Sequence, residues 1–339
     1  MSDFGRPRGF EDDWSSRRLA GRQPATGAKS LSALGLRRDQ LARVVTGARE
    51  VMVSVTGAVQ SRPQLVRHLD YISRQGRLAL EDQDGFQLNG RAALKDLAED
   101  WNGLSEADSL RRPNSPIART LVFSMPPGTD GQALEGAVRD AAGQFWRERY
   151  AFAWVRHTDS PHPHAHLVIR PLGLNGERFR PDRTELAMMR EGFALALRHH
   201  GVAAEATPRG LRGVTRKSER YVLRKMRERY ERGDGSPPRT LEAAYLEASD
   251  AVFDPATPRP PWEQQIAETQ SKIRGHYLDH AEALAASPDP QDQALAKQVE
   301  TFVAEMPAAD TRRLEIARQL RALADQLKQR AEQNRTLIR

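Results

Sequence analysis

The chain has 339 residues, with 52 lysines and arginines against 45 aspartates and glutamates, and a formal net charge of +7. The absence of cysteine excludes disulfides, cysteine-ligated metal centres and cysteine nucleophiles. No apolar run reaches the roughly 20 residues of a membrane-spanning helix, and the first residues lack the apolar core of a signal peptide. These features predict a soluble cytoplasmic protein of about two domains without membrane insertion. The basic balance admits nucleic acid as a partner but does not establish it.

Residues 1–45 mix charged residues with Gly, Ser and Pro and show no period, which predicts a disordered basic N-terminal segment. The alternating segment Val51–Val55 predicts a half-buried strand. Ser61 and a proline two residues later predict the start of a helix that ends at Gly76. A hairpin with Asp84 and a glycine at its turn follows.

The next part of the chain alternates between helical and strand patterns. The predicted elements are a helix over Arg91–Trp101, a strand over Arg119–Ser124, a helix capped by Thr129 or Asp130, two strands with the sequences AFAWVRH and AHLVIRPL, and a helix over Glu185–His199. This order predicts an α+β fold with a largely antiparallel sheet. A doubly wound fold is the weaker alternative, because a regular strand–helix alternation is absent.

The chain changes character near residue 206. The segment Arg209–Arg232 holds ten lysines and arginines and three glutamates. We expect residues 206–235 to be a basic DNA-binding segment that contacts phosphates without reading sequence; the alternative is a solvated basic helix. The candidate contacts are Arg216, Lys217, Arg224, Lys225 and Arg227. Residues 236–339 have the composition of a helical C-terminal region.

Four of the nine histidines lie between residues 157 and 166. On a strand, His164 and His166 share one face, so their imidazoles can converge on one metal ion. His157 ends the preceding strand and can supply a third ligand, although His162 is an alternative. Three neutral imidazoles leave coordination positions open, as in catalytic sites. Asp159 can accept the outward N–H of a ligand and fix its tautomer.

Tyr71 is a second candidate. It lies on the flank of the helix that begins near Ser61, with Arg67 and Arg74 as helical neighbours. A phenol beside two guanidiniums suits phosphate chemistry. The helix pattern taken alone favours a tyrosine that simply packs at the edge of the core; the histidine cluster shifts the balance towards function.

Three segments together resemble the relaxases, nicking enzymes of plasmid mobilisation and conjugation among the HUH endonucleases. The likeness is to the IncP-plasmid and T-DNA border endonuclease branch. The segments are HLDYISRQGRLALED (residues 68–82), RTLVFSMPPGTD (119–130) and VRHTDSPHPHAHLVI (155–169). They place the relaxase domain at residues 46–205.

The resemblance implies a five-stranded antiparallel sheet flanked by helices. It also implies cleavage of one DNA strand at an origin of transfer in a bacterial cell. Tyr71 would form a 5′-phosphotyrosine, and a divalent metal would be held by His157, His164 and His166. Mg²⁺ or Mn²⁺ is expected, with Zn²⁺ as the alternative; Asp159 would orient a ligand or help to deprotonate Tyr71.

The implied partners are single-stranded DNA, relaxosome accessory proteins and the transfer machinery, and the protein could leave the cell covalently bound to DNA. Two other functions stay open on the residues alone. One is a three-histidine hydrolase that activates water without a covalent intermediate. The other is a DNA-binding accessory protein with an inactive nuclease fold.

Overall fold

The computed structural model describes residues 36–215, 221–253, 260–309 and 311–337. They form two compact units, of which the first contains Arg38–Thr207 and the second contains residues 36–37 and the described residues from Pro208 onward. Within these ranges, no helix is both long and apolar enough to cross a membrane.

The first unit is built on an antiparallel sheet. Its elements are α1 (Arg38–Val45), β1 (Arg49–Glu50), β2 (Met52–Val59), α2 (Arg62–Ile72), β3 (Leu80–Asp82), β4 (Gln87–Leu88), α3 (Gly90–Glu106), β5 (Ala118–Ser124), α4 (Gly131–Trp146), β6 (Phe152–His157), β7 (His164–Ile169), α5 (Arg183–His199) and β8 (Ala204–Glu205). Six strands run in the order β2-β5-β7-β6-β3-β4, and every neighbouring pair is antiparallel. Strands β1 and β8 form a separate parallel pair.

The sheet separates two cores. On one face, Leu121, Phe123 and Leu167 pack against α4 and α5. On the other face, Val168 and Val155 pack against α2 and α3. Each central strand thus alternates between the two cores, which gives three layers with helices outside and the sheet between them.

A β-bulge between Val55 and Gly57 changes the face that β2 presents. Before the bulge Val53 lies in the core under α4 and α5, and after it Val59 lies in the core under α2 and α3. The extra residue, Thr56, bonds Thr120 across the strands, with 2.9 Å between the two hydroxyl oxygens. The bulge lies near the end of the sheet where α2 begins.

The second unit is helical. It contains a 3₁₀ helix (Arg209–Arg212), α6 (Tyr221–Glu231), α7 (Arg239–Phe253), α8 (Pro261–Ala285), α9 (Pro290–Glu305) and α10 (Arg312–Leu337). Tyr277 is fully buried, and its hydroxyl donates to the Leu211 carbonyl at 2.8 Å. The buried Arg313 side chain pairs with buried Glu263.

The predicted α+β class with an antiparallel sheet and a helical C-terminal region is confirmed. The expectation of five strands is wrong, because the short hairpin strand β4 pairs with β3 and extends the sheet to six. The expectation of disorder up to residue 45 is wrong for its last part, since α1 buries Leu41 and Val44. Residues 1–35 lie outside the described part of the chain.

The predicted helix end at Gly76 also needs correction. The helix stops at Ile72, and Arg74 and Gln75 take left-handed φ angles of 53° and 63°. Gly76 continues this run with φ 81°, and a Cβ there would lie 2.9 Å from the backbone nitrogen of Arg91. The chain therefore leaves the helix in a tight left-handed turn that only glycine can complete.

Candidate active site

Three histidines meet on the face of the sheet that carries α2 and α3. In the register of β6 and β7, His157 stands opposite His164, and His166 is two residues further along the strand. The ring centroids lie 5.1 Å apart for His157 and His164, 4.4 Å for His157 and His166, and 5.2 Å for His164 and His166. One nitrogen from each ring lies within 4.8 Å of the others. The strand pairing thus brings three nitrogen donors together on one face of the sheet.

Hydrogen bonds define which nitrogen of His157 is available. Its Nε2 lies 2.7 Å from the Ile72 carbonyl, which can only accept, so this nitrogen carries the proton. Its Nδ1 lies 3.1 Å from Nη2 of Arg74, and a guanidinium nitrogen can only donate. Both contacts require the same neutral tautomer, with the lone pair on Nδ1.

His164 has the opposite tautomer. Its Nδ1 lies 2.9 Å from the carbonyl of His162, so Nδ1 holds the proton and Nε2 has the lone pair. The His162 side chain is exposed and stands outside the group of converging nitrogens. His162 thus takes part through its backbone.

Burial favours the neutral form of His157 and His166. It lowers the pKa of His157, with the nearby Arg74 charge acting in the same direction. It also lowers the pKa of His166 to about 3, and the other imidazoles of the cluster add to the shift. Neutral imidazoles are the form that binds metals, so the donor set fits a divalent ion and leaves coordination positions open.

Tyr71 lies beside this cluster. The residue is 58% exposed, and its ring stands edge-on to His166 with the centroids 5.9 Å apart. The helix α2 buries Leu65, Leu69 and Ile72, and Tyr71 immediately precedes the last of these. The residue therefore sits at the flank of the helix, as its position in the sequence predicts, with its ring next to both solvent and His166.

Arg74 links the tyrosine to the cluster. Its guanidinium carbon is 5.5 Å from the centre of the Tyr71 ring, and the same guanidinium reaches His157. It also forms an ion pair with Asp159. The contact of Asp159 with the site therefore runs through the arginine.

A cleft of about 480 Å³ opens next to the tyrosine. Strand β2, helix α2 and His166 line it, and Arg67 lies on its wall. Four residues that line the cleft are not indicated by the sequence patterns: Thr56, Gln64, His68 and Thr120. The position of His68 three residues before Tyr71 could have indicated it, but the threonines meet only through the bulge and the pairing of β2 with β5.

The described residues of the basic segment 206–235 that could contact DNA lie in the helical unit. Arg224 and Lys225 pair with Glu228, and Arg227 pairs with Glu231, all within α6. Arg216 and Lys217 lie outside the described residues. Arginines of α6 are thus arranged in ion pairs spaced three or four residues apart on the helix.

Comparison with known proteins gives a family match. Residues 71–202 match the family model described as relaxase, MobA/VirD2-like, nuclease domain. The chain is 25% identical over 222 residues to the T-DNA border endonuclease VirD2 of Rhizobium radiobacter, covering 60% of this chain and 49% of the relative. It is 26% identical over 191 residues to VirD2 of Agrobacterium fabrum, covering 51% and 42%.

The chain spans about half the length of these relatives. The family match covers β3 to β7, α5 and the tyrosine at the end of α2, so it contains the whole histidine cluster. The resemblance to relaxases of the T-DNA border endonuclease branch is thereby confirmed.

Proposed function

We propose that this chain, which is similar over residues 71–202 to the MobA/VirD2-like relaxase nuclease domain, nicks one DNA strand at an origin of transfer through a covalent tyrosine intermediate. The observation that carries the proposal is the position of Tyr71, whose exposed ring lies 5.9 Å from that of His166 in the histidine cluster. The proposed nucleophile and three converging ring nitrogens lie side by side within the residues that match the family model.

Tyr71 is the proposed nucleophile. Its phenolic oxygen would form a bond to the scissile phosphorus while the bond to the 3′ oxygen breaks, leaving a 5′-phosphotyrosine and a 3′ hydroxyl. The phenol proton must leave, and the 3′ oxygen must take up a proton. The exposure of Tyr71 allows a strand to approach, and the cleft beside it offers room for DNA.

His157, His164 and His166 would hold a divalent metal, with Mg²⁺ or Mn²⁺ as the expected ion. When bound, such an ion polarises a non-bridging phosphate oxygen and stabilises the charge that develops there. The chain's own contribution is to fix the donors: Ile72 and His162 carbonyls hold two of the rings in defined tautomers.

Asp159 would act by holding Arg74. The sequence left two roles open for this carboxylate, orienting a ligand or deprotonating the tyrosine. Its ion pair with Arg74 supports an orienting role, because the carboxylate holds that guanidinium beside the Tyr71 ring. Arg67 and Arg74 would contact phosphates of the bound strand.

The wider role rests on the same resemblance. We expect the nick to prepare a strand for plasmid or mobile-element transfer, with relaxosome proteins and a transfer machinery as partners. The basic residues Arg216, Lys217, Arg224, Lys225 and Arg227 would add affinity for the DNA backbone. The site of action would be the bacterial cytoplasm, followed by export of the protein on the DNA. We also propose that residues 46–205 form the relaxase domain, residues 206–235 a basic DNA-binding segment and residues 236–339 a helical C-terminal region.

The test is capture of the covalent adduct. Purified protein is incubated with Mn²⁺ and a library of single-stranded oligonucleotides, and adducts are isolated by denaturing electrophoresis. We expect a band whose peptide carries DNA on Tyr71 and whose DNA shares a common sequence at the 5′ end. Tyr71→Phe should abolish the band, and Tyr230→Phe, which removes the hydroxyl of another exposed tyrosine, should not.

The outcomes separate the competing functions. Cleavage without an adduct would indicate the metal-dependent hydrolase and refute the tyrosine mechanism. Binding without cleavage would indicate an inactive DNA-binding protein. An adduct on a different tyrosine would preserve the class of reaction and overturn the assignment of Tyr71.

A further inference from the structure

Arg74 is hydrogen-bonded to the His157 nitrogen that would bind a metal ion. The hydrogen bond from His157 Nε2 to the Ile72 carbonyl leaves Nδ1 as the nitrogen with a free electron pair. The Arg74 Nη2 donates to that same Nδ1 at 3.1 Å. One imidazole nitrogen has one lone pair in the ring plane, so it cannot serve a guanidinium and a metal ion at once.

We propose that the Arg74 guanidinium competes with the metal for His157 and is released towards the scissile phosphate when the metal binds. This inference rests on the proposed three-histidine metal site. It adds an exchange of partners in which the arginine leaves the histidine and becomes available to the DNA.

The local fold holds Arg74 ready for such an exchange. Arg74 itself has a left-handed φ of 53°, which is uncommon outside glycine and places the residue in the turn directly after α2. The ion pair with Asp159 gives the guanidinium a second anchor that does not involve the histidine. Loss of the contact to His157 would therefore leave the arginine tethered beside the site.

The released arginine would also be in the right place. Its guanidinium carbon is 5.5 Å from the centre of the Tyr71 ring, so it lies next to the proposed nucleophile. Arginine binds phosphate with paired, charge-assisted hydrogen bonds. Metal binding would thus free a phosphate-binding group next to the nucleophile, coupling the two steps.

The experiment measures metal affinity without DNA, so that its readout is independent of catalysis. Mn²⁺ binding to the full chain is measured by isothermal titration calorimetry for the wild type and for Arg74→Asn. Asparagine tolerates left-handed backbone and is too short to reach His157. Because the metal no longer has to displace a hydrogen-bonded arginine, we expect affinity to rise about tenfold.

Arg67→Gln is the matched control. Like Arg74→Asn, it removes one positive charge near Tyr71. Arg67 lines the cleft together with Tyr71 and His166, and its replacement does not alter the guanidinium that bonds His157. We expect it to change Mn²⁺ affinity less than about twofold, as for a screened surface charge. An equal gain in both variants would mean that charge alone is responsible and would overturn the exchange.

A measurement on the wild type covers the case in which Arg74→Asn does not fold. Arginine side-chain NMR signals are followed while Mg²⁺ is added, and the Nη protons of Arg74 should lose their hydrogen-bonded shift as the metal binds. Unchanged Arg74 signals, or unchanged affinity in Arg74→Asn, would overturn the inference alone. Absence of metal binding in every protein would overturn it together with the proposed metal site.

Discussion

His157 and His164 should differ in their effects on folding, although both belong to the cluster. His157 is 2% exposed, and its Nε2 donates to the Ile72 carbonyl at 2.7 Å. His164 is partly exposed, and its Nδ1 donates to the carbonyl of His162 in an exposed turn. Replacement of either residue by alanine should weaken metal binding, but only replacement of His157 should also weaken the fold.

The expected size follows from these contacts. His157→Ala leaves a carbonyl without this partner, which costs about 1–3 kcal/mol, and it leaves a ring-sized void in a buried position. Together we expect a loss of about 2–4 kcal/mol in the free energy of unfolding. For a unit of this size, that corresponds to a fall of about 5–15 °C in melting temperature. His164→Ala should stay within about 1 kcal/mol of the wild type.

The assay is urea unfolding in the presence of a chelator, which removes any contribution from bound metal. Tryptophan fluorescence reports on the first unit, because Trp101, Trp146 and Trp154 are buried in it. Equal destabilisation by His157→Ala and His164→Ala would refute the reasoning. It would mean that the bond to Ile72 does not join the end of β6 to the end of α2.

Further predictions concern the second unit and its separation from the first. Burial raises the pKa of Tyr277 to about 12, so the unfolded chain loses this proton first as pH rises above 10. Relative to Tyr277→Phe, the wild type should lose about 1.4 kcal/mol of stability between pH 9 and 11 in urea unfolding, and an unchanged difference would refute this. A chain shortened to end at Thr207 should keep the sheet and cooperative melting by circular dichroism, whereas an end near Gly235 should expose the partners of Tyr277. Replacing Arg224, Lys225 and Arg227 of α6 with alanine should weaken binding to all single-stranded DNA alike. It should also flatten the salt dependence of the binding constant measured by fluorescence anisotropy, and a loss of affinity limited to one DNA sequence would contradict this prediction.

The choice of Thr207 as the boundary comes from the hydrogen bonds that follow it. The hydroxyl of Tyr277 donates to the Leu211 carbonyl, and the side-chain amide of Gln270 donates to the Gly213 carbonyl at 2.8 Å. The 3₁₀ helix is therefore part of the helical unit. The composition change near residue 206 does not reveal which unit the following residues join.

Local patterns predicted most of the elements of the first unit. Alternation at Val51–Val55 and around His164 corresponds to strands, and Asp130 caps α4 by accepting from two backbone nitrogens. The hairpin with Asp84 at its turn is present as β3 and β4. Such signals are readable because alternation, caps and turns depend on near neighbours in the chain. The sequence pattern puts the end of α2 too late, because the left-handed turn after Ile72 depends on the approach of the Arg91 backbone.

The chemical groups of the site can be identified from residue order: a dense group of histidines with two on one strand face, a tyrosine on a helix flank and basic residues around it. Residue order also indicates the α+β class, since these features follow from residue identity and short-range periodicity. Three features depend on the folded chain: Arg74 bridges His157 and Asp159, Ile72 sets the tautomer of His157, and the residues of the bulge line a cleft beside Tyr71. The reason is physical: each of these contacts joins residues far apart in the chain, and their geometry depends on sheet register and helix packing.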